Sequence, residues 1–455
     1  MDTIAAIATG AAATAIGIVR LSGDDAIAIV DKVFRPKFIK SMLTADSRKL
    51  YYGELLGRDG AVIDICMCTV SRAPHSYTGE DTAELQCHGS PTVLNEALLS
   101  IFAQGAHQAA AGEFTKRAFL NGRMDLTQAE AVIDLIDAET TAAAKNAAEH
   151  LNRAISIKTD GIYDRLCDIM AHFHAVLDYP DEDIEDFEAE NYSLELEDCR
   201  RALYELYATY ERGKILKDGV SCAIIGKPNV GKSSLLNALL GYDRAIVTDI
   251  AGTTRDTIEE RVKIGGVILR MADTAGMRET EDAVEKIGVV RAKQAAESAE
   301  LLIAVFDGSE PMTEEDEAIL HIAKSAPRAI FVLSKCDLGV RGDTCDKLKN
   351  GGIDFIEISS KCGSGLDKLS AEIEEMYPAG QTGGAALVTN LRQAEALERS
   401  CKSLEDTERA LRAGLTPDIV LTGVEQAMEY LGEISGKTIR EDITARIFER
   451  FCVGK

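Results

Sequence analysis

Gly226-Lys227-Pro228-Asn229-Val230-Gly231-Lys232-Ser233-Ser234 decides the fold of this chain. It satisfies G-x-x-x-x-G-K-[ST]; the apolar run Val220 to Ile225 precedes it, and Leu235, Leu236, Leu239 and Leu240 follow at helical spacing. The reading is strand, glycine-rich turn, helix, with Gly241 expected just past the helix end. Gly226 and Gly231 let successive N–H groups point inward, and the helix start adds its positive end, so a polyphosphate is held largely by main chain. Lys232 is expected at the β- and γ-phosphates and Ser233 at Mg²⁺.

Three further signals follow in the order a GTPase needs. Gly252-Thr253-Thr254-Arg255-Asp256 precedes a strand over Val267 to Met271, and Asp273-Thr274-Ala275-Gly276 comes after it. Asp273 is suited to the Mg²⁺ shell and Gly276 to the γ-phosphate. A strand over Ala329 to Leu333 delivers Ser334-Lys335-Cys336-Asp337, where the Asp337 carboxylate can accept from guanine N1 and its exocyclic amine. Phe355 to Ile358 then leads into Ser359-Ser360-Lys361, whose backbone is expected at guanine O6. Ser334 stands where the guanine motif usually has Asn, so a side-chain amide tie is missing and looser nucleotide binding is expected. Met277 replaces the water-orienting Gln of Ras-like proteins, so either hydrolysis is slow or that role is filled elsewhere.

The 455 residues are enough for two or three domains with sizeable cores. With 50 basic against 75 acidic residues the net charge is −25, a surface that repels phosphate backbones, so RNA is expected to arrive with a partner. Eleven cysteines, an odd number without a signal peptide, read as free thiols in a reducing cytoplasm. Cys66-x-Cys68 lies in the alternating run Val62 to Val70 and reads as strand rather than metal site; Cys87-His88 lacks a second pair in sequence. No apolar stretch is long enough to span a bilayer.

From Thr3 to about Leu120, β-like runs (Gly17 to Leu21, Val62 to Val70, Asp81 to Cys87) alternate with helical ones (Asp24 to Val33, Pro91 to Ala103), an α+β pattern. Tyr77-Thr78-Gly79-Glu80-Asp81 reads as a surface turn, and Arg20 as a surface charge in an apolar strand. Thr127-x-x-Glu130 reads as a capping box opening helices that run to about Lys217, broken by the acidic turn Asp178 to Asp183. Residues Gly219 to Tyr377 follow βαβ order, which predicts a parallel sheet with helices on both faces; Pro378 to Gly384 reads as a linker. Helical pattern returns with Leu397, Leu404 and Leu411, and with Ile439, Ile443, Ile447 and Phe451 behind a second box, Thr438-x-x-Glu441. The expected fold is a multidomain α/β protein. Its domains are 1–120, a helical domain split between 121–217 and 378–455, and a GTPase domain inserted at 218–377. Cys452-Val453-Gly454-Lys455 reads as a frayed tail.

With these pieces in view the chain resembles the family of tRNA modification GTPases called MnmE or TrmE, over its whole length. The specific marks are Gly17-Ile18-Val19-Arg20-Leu21-Ser22-Gly23, Tyr77 to Asp81, Gly112-Glu113-Phe114 with Arg117-Ala118-Phe119-Leu120-Asn121, Gly252 to Asp256, and the terminal Cys-Val-Gly-Lys. The resemblance implies a folate-binding, dimerising N-terminal domain, a split helical domain and a Ras-like GTPase domain. It also implies a homodimer that works with an FAD-dependent partner of the MnmG/GidA kind, as a heterotetramer or larger, and meets tRNA mainly through that complex. The product is an aminomethyl or carboxymethylaminomethyl group at C5 of wobble uridine.

Site roles carried over by the resemblance are as follows. Arg20, Glu80, Arg123 and Lys455 match the site for 5-formyltetrahydrofolate or 5,10-methylenetetrahydrofolate, Arg123 standing where some members have Lys. Asn229, Val230, Gly231, Lys232, Ser233, Ser234, Thr248, Thr254, Asp273, Thr274, Ala275, Gly276, Lys335, Asp337, Ser359, Ser360 and Lys361 match GTP-binding positions. Asn229, Thr248, Ile250 and Thr253 match a K⁺ loop, and Ser233 and Thr254 match the Mg²⁺ shell. Glu285 matches the residue that positions the water, which answers the Met277 problem, and Arg255 and Asp256 are catalytic candidates beside it. Blander readings stay open: Arg255 and Asp256 as a loop ion pair, Glu285 as a solvated helix residue, Cys452 as structural. So do two other functions, a GTP-switched ribosome or RNA assembly factor and a nucleotide-independent folate scaffold.

Overall fold

The structure, a computed structural model, describes residues 2–10, 12–178, 189–242, 260–271, 285–340, 342–378, 386–438, 447–448, 451 and 453–454. By internal contacts the chain divides into two units: Met1–Ile136 with Ala148–Leu203 and Glu395–Lys455, and Asp137–Ala147 with Tyr204–Ala394.

In the first unit Ile4–Ile7 (β1) runs antiparallel to Thr14–Ser22 (β2), Ile4 opposite Ser22 and Ile7 opposite Val19. Ala26–Val33 (α1), Phe34–Pro36 (β3), Tyr51–Leu56 (β4), Val62–Ser71 (β5), Thr82–Gly89 (β6), Pro91–Ala103 (α2) and His107–Gln108 (β7) complete a seven-stranded sheet ordered β3-β4-β5-β6-β2-β1-β7. Alternation decides the faces. Val19, Leu21, Cys66, Cys68, Val70 and Leu85 point to one side, where they bury against Val30 of α1 and Leu94 and Ile101 of α2. Each such aliphatic side chain contributes roughly 1.5–3 kcal/mol. The other side is closed by Ile4, Ala6 and Ala109 with Phe114 from Glu113–Leu120 (α3). β1, β3, β4 and β7 have no counterpart among the strands expected from sequence.

Leu126–Ile136 (α4) begins one residue before the expected box, and a different pair caps it. Asp125 Oδ1 accepts the Gln128 N–H at 2.9 Å while Gln128 Oε1 accepts the Asp125 N–H at 3.1 Å. Thr127 is instead buried, its hydroxyl on Asp125 and Ser156. The reciprocal bonding works because Asp125, not Thr127, is the last non-helical residue. Thr141–Leu151 (α5), Ala154–Asp178 (α6) and Ala189–Tyr207 (α7) follow.

The second unit holds Tyr210–Asp218 (α8), Val220–Ile225 (β8), Lys232–Tyr242 (α9), Glu260–Ile264 (β9), Val267–Met271 (β10), Glu285–Ser298 (α10) and Leu301–Asp307 (β11). Glu314–Ser325 (α11), Ala329–Ser334 (β12), Gly342–Asn350 (α12), Ile356–Glu357 (β13) and Leu366–Met376 (α13) complete it. The sheet order is β13-β12-β11-β8-β10-β9, parallel except for β9, which pairs antiparallel with β10. β8 and β11 are apolar almost throughout because helices cover both faces. Leu235, Leu239, Leu369 and Ile373 pack on one side and Ile319, Ala323 and Leu348 on the other. Gly241 lies inside α9 rather than past its end; a glycine in the last turn weakens a helix by about 1 kcal/mol without stopping it.

Leu391–Arg412 (α14) and Pro417–Ser435 (α15) return to helix. Leu397, Leu404 and Leu411 are buried as their spacing predicts. In the first unit α14 meets α7 through Arg200 and Glu408 at 2.7 Å, and meets α15 through Ser400 on the Ala427 carbonyl and Ser403 on the Gly423 carbonyl. Gly423 permits that approach, since a Cβ there would run into Thr407. Thr438 donates to the Glu429 carbonyl at 2.9 Å, while Glu441, Ile439 and Ile443 lie outside the described residues. Val453 and Gly454 are docked rather than frayed. Phe448 and Phe451 pack with Leu126 and Ala129, Val453 bridges to Ala111, and a Cβ on Gly454 (φ +100°) would strike the Ile7 carbonyl.

Candidate functional site

Gly226 and Gly231 both have positive φ, 159° and 101°, and Asn229 sits in the left-handed region at 63°. The turn between them delivers Lys232 as the first residue of α9, whose start is closed by the Leu235 N–H on the Gly231 carbonyl. The N–H groups of this first turn are those a helix leaves without internal partners, which suits an anion. The Lys232 ammonium donates to the Gly226 and Lys227 carbonyls, both at 2.8 Å. Burial pushes it below the usual lysine range, with Glu315 pulling the other way. A polyphosphate in the turn restores the opposite charge that burial has removed from its surroundings. Lys227, a variable position of the motif, is buried against Asp316 at 2.9 Å, and Asp316 also caps α11 through Thr313. The turn is thereby fastened to the start of α11.

The guanine-side loops are joined by short polar contacts. Asp337 Oδ1 accepts the Ser359 hydroxyl at 2.8 Å, which aims the carboxylate and ties the two loops that sequence assigned to the base. The Cys336 N–H donates to the Ile358 carbonyl beside it, and Ser359 bridges to Ser364. Lys335, at φ 56°, holds Asp307 at the end of β11 at 2.7 Å. Burial works against the Asp307 charge, but Lys335 and the two Ser309 hydrogen bonds outweigh it and keep the carboxyl below the usual range.

Ser334 corrects an expectation. Its hydroxyl lies 2.5 Å from the Val230 carbonyl in the phosphate turn and 3.0 Å from the Phe306 carbonyl, so the tie that an Asn amide would make is made by a single buried O–H. We expect Ser334→Ala to weaken guanine-nucleotide binding threefold to tenfold, about one hydrogen bond, and Ser334→Asn to give no gain. Calorimetric titration with GDP would overturn this if the Ala variant bound as tightly as the parent.

In the first unit, Thr78 and Glu80 are buried rather than on a surface turn. Glu80 accepts the Ser22 hydroxyl at 2.7 Å and pairs with Arg117 at 3.2 Å; Arg117 also reaches Glu113 at 2.8 Å and Asp2 at 3.2 Å. Burial opposes the Arg117 charge, yet its carboxylate partners raise its pKa above the usual value. Arg20 pairs with Glu84 at 2.8 Å and lies over the rings of Tyr77 and Phe114, 5.6 and 5.7 Å from their centroids. Gly79, at φ +81°, lies against the Arg123 stem, and Asn121 donates to the Thr78 carbonyl at 2.8 Å. An open recess of about 410 Å³ is lined by Asp24, Ala73, Gly79, Glu80, Asp81 and Asn121. Arg123 thus packs on Gly79 beside Glu80, Arg20 lies on Tyr77 and Phe114, and Gly454 comes against Ile7, one strand over from β2.

Thr248, Ile250, Thr253, Thr254, Arg255, Asp256, Asp273, Thr274, Ala275, Gly276, Met277, Cys452 and Lys455 lie outside the described residues, as do Tyr179 to Asp183 and the linker over 379–384. Glu285 opens α10, and its side chain is outside the description. Sequence reasoning passed over Ser22, Arg117, Lys227 and Asp307. The polar end of an otherwise apolar strand was the available signal for Asp307; Glu80, which Ser22 and Arg117 share, and Asp316, which holds Lys227, are 37 to 89 residues from them.

The geometry agrees with comparisons to known proteins. A model of the TrmE N-terminus, described as a GTP-binding protein, matches residues 3–123, and a model of the MnmE helical domain matches residues 126–452. The tRNA modification GTPase MnmE of Clostridioides difficile (strain 630) is 42% identical over all of this chain and 99% of its own; that of Enterococcus faecalis is 41% identical over 100% and 98%. The chain belongs to the MnmE family. In this family the helical model begins before the nucleotide-binding residues and ends after them. The two MnmE models adjoin between 123 and 126, where Arg123 and Asp125 lie. The solved G domain of the T. maritima FeoB iron transporter is also similar, at 27% identity over 34% of this chain and 97% of its own, with a TM-score of 0.26.

Proposed function

We propose that this chain is a GTP hydrolase that drives tRNA modification, the activity for which its full-length relatives are named. The observation that carries this reading is the joining of the phosphate turn to the guanine loops by Ser334 and by the Asp337–Ser359 bond, within a chain of the MnmE family throughout. In this reading Lys232 and the first turn of α9 bind the phosphates, Ser233 and Thr254 hold Mg²⁺ with Asp273 in its outer shell, and Asp337 selects guanine over adenine. Glu285 positions the water. Asn229, Thr248, Ile250 and Thr253 hold K⁺, which supplies positive charge beside the β/γ-phosphates.

The N-terminal unit binds the folate and supplies the one-carbon unit. Its arrangement fits such a ligand: Glu80 is fixed by Ser22 and Arg117 at the recess wall, where a carboxylate can accept from the N–H edge of a pterin, and Arg20, Arg123 and Lys455 suit the anionic end. We assign residues 1–120 to this domain, 121–217 and 378–455 to the helical domain, and 218–377 to the GTPase. The chain acts as a cytoplasmic homodimer with an FAD-dependent partner, placing an aminomethyl-type group at C5 of wobble uridine. No helix of the described residues is long and apolar enough to cross a membrane.

The test is steady-state GTP hydrolysis in KCl and in NaCl at equal ionic strength. A gain of about tenfold or more in K⁺, lost in Asn229→Ala, is expected; equal rates in both salts overturn the K⁺ assignment. Unchanged wobble-uridine nucleosides in a strain lacking the gene, measured by mass spectrometry, overturn the tRNA reading.

A further inference from the structure

The helix-facing side of the N-terminal sheet carries two thiols and a carboxylate that neither nucleotide nor folate binding uses. β5 and β6 pair Met67 with Gln86 and Cys68 with Leu85, and the same antiparallel register sets Cys66 across from Cys87. Both cysteines are buried, at 4% and 2% exposure. Asp64 lies two residues before Cys66 on the same face. The two sulfurs and a carboxylate oxygen all lie within 4.8 Å of one another.

Asp64 is held in place for this. One of its oxygens accepts the Ile65 N–H and meets His88 Nδ1, each at 2.7 Å; the other accepts the His88 N–H at 2.9 Å. Its side chain is 8% exposed, whereas that of His88 is 76% exposed, so the cluster is closed toward the core and reachable from the strand end.

We propose that Asp64, Cys66 and Cys87 form a binding site for a thiophilic divalent ion of the zinc class, with a water as fourth ligand. The donor set argues for it: two thiolates and a carboxylate suit Zn²⁺ or Cd²⁺ and are wrong for the oxygen-seeking Mg²⁺. Spacing argues the same way: two metal–sulfur bonds of about 2.3 Å can span sulfurs that lie within 4.8 Å of each other. The hydrogen bonds that fix Asp64 are of the kind that orient metal ligands from behind. Binding replaces two thiol protons, released to solvent, by one dication, so the site carries net −1 and nothing is oxidised or reduced. Sequence reading set Cys87-His88 aside for want of a second pair; the sheet supplies it from β5.

The test uses the full-length protein, stripped with a chelator and titrated separately with Zn²⁺ and Cd²⁺, alongside Cys87→Ser and Cys68→Ser. Cys68 is buried on the same face but outside the cluster, so it serves as the control. Expected are about one ion per chain and a cadmium–thiolate absorption band in the parent and in Cys68→Ser. Cys87→Ser should lose the band and bind roughly tenfold or more weakly, with GTP hydrolysis unchanged. If Cys87→Ser fails to fold by circular dichroism, Asp64→Asn reads the same loss of affinity with both thiols present. A parent without the band, equal binding in the variants, or a Cys66–Cys87 disulfide found by mass spectrometry would each overturn the proposal.

Discussion

Arg117→Met is expected to destabilise the N-terminal unit by about 3–5 kcal/mol, because it strands the Glu80 carboxylate away from water with its charge uncompensated. Arg117 and Glu80 have side-chain exposures of 7% and 8%, so solvent screens little of their interaction. Three carboxyl groups converge on this one guanidinium, and no other cation in its described contacts offsets them. Hydrogen exchange at the amides of β2 and β6 gives the measurement, since it reports this sheet alone. Adding Glu80→Gln should recover part of the loss, because it removes the stranded charge. A shift under about 1 kcal/mol in the single variant would mean that the pair is solvated and that Glu80 is not preset for a ligand.

Lys232→Ala should lower GTP hydrolysis by about 10²–10³-fold while the chain stays folded. Among the described residues the ammonium donates to the Gly226 and Lys227 carbonyls and to no carboxylate, so its removal strands no buried charge there. Its deletion therefore reads out charge stabilisation at the phosphates rather than packing. A rate within a few-fold of the parent, measured by phosphate release, would sink the assignment of the turn as the phosphate site. If tRNA modification also persisted in that variant, the nucleotide-independent scaffold would become the better reading.

The nucleotide-binding sheet was legible because its physics is local. β8, β10 and β12 are apolar runs followed by the motifs they deliver, and the turn needs glycine at fixed positions whatever lies around it. The N-terminal sheet was legible only in part. β5 and β6 alternate clearly, but β3 is three residues long and β1 four, too short for a period to emerge. The buried state of Thr78 and Glu80 was hidden for a different reason. Turn chemistry is a property of the five residues themselves, whereas their burial depends on Ser22 and Arg117, which the register and α3 bring in from elsewhere. The same holds for Ser334. Counting the amide it lacks missed the tie itself, because a hydroxyl on a shorter stem reaches the same two loops when Val230 and Phe306 stand this close. At α4, two boxes two residues apart competed, and the choice between Asp125 and Thr127 rested on where the helix starts, which propensity alone does not fix.

The docking of Val453 and Gly454 against Ala111 and Ile7 has a consequence for synthesis. Ile7 and Ala111 are made long before Val453 and Gly454, so these contacts form well after the strands around them can pair. The N-terminal sheet can collapse early around α1 and α2, while Ile7 and Ala111 gain these neighbours late. A product truncated before Val453 lacks these contacts even when its nucleotide-binding unit is whole.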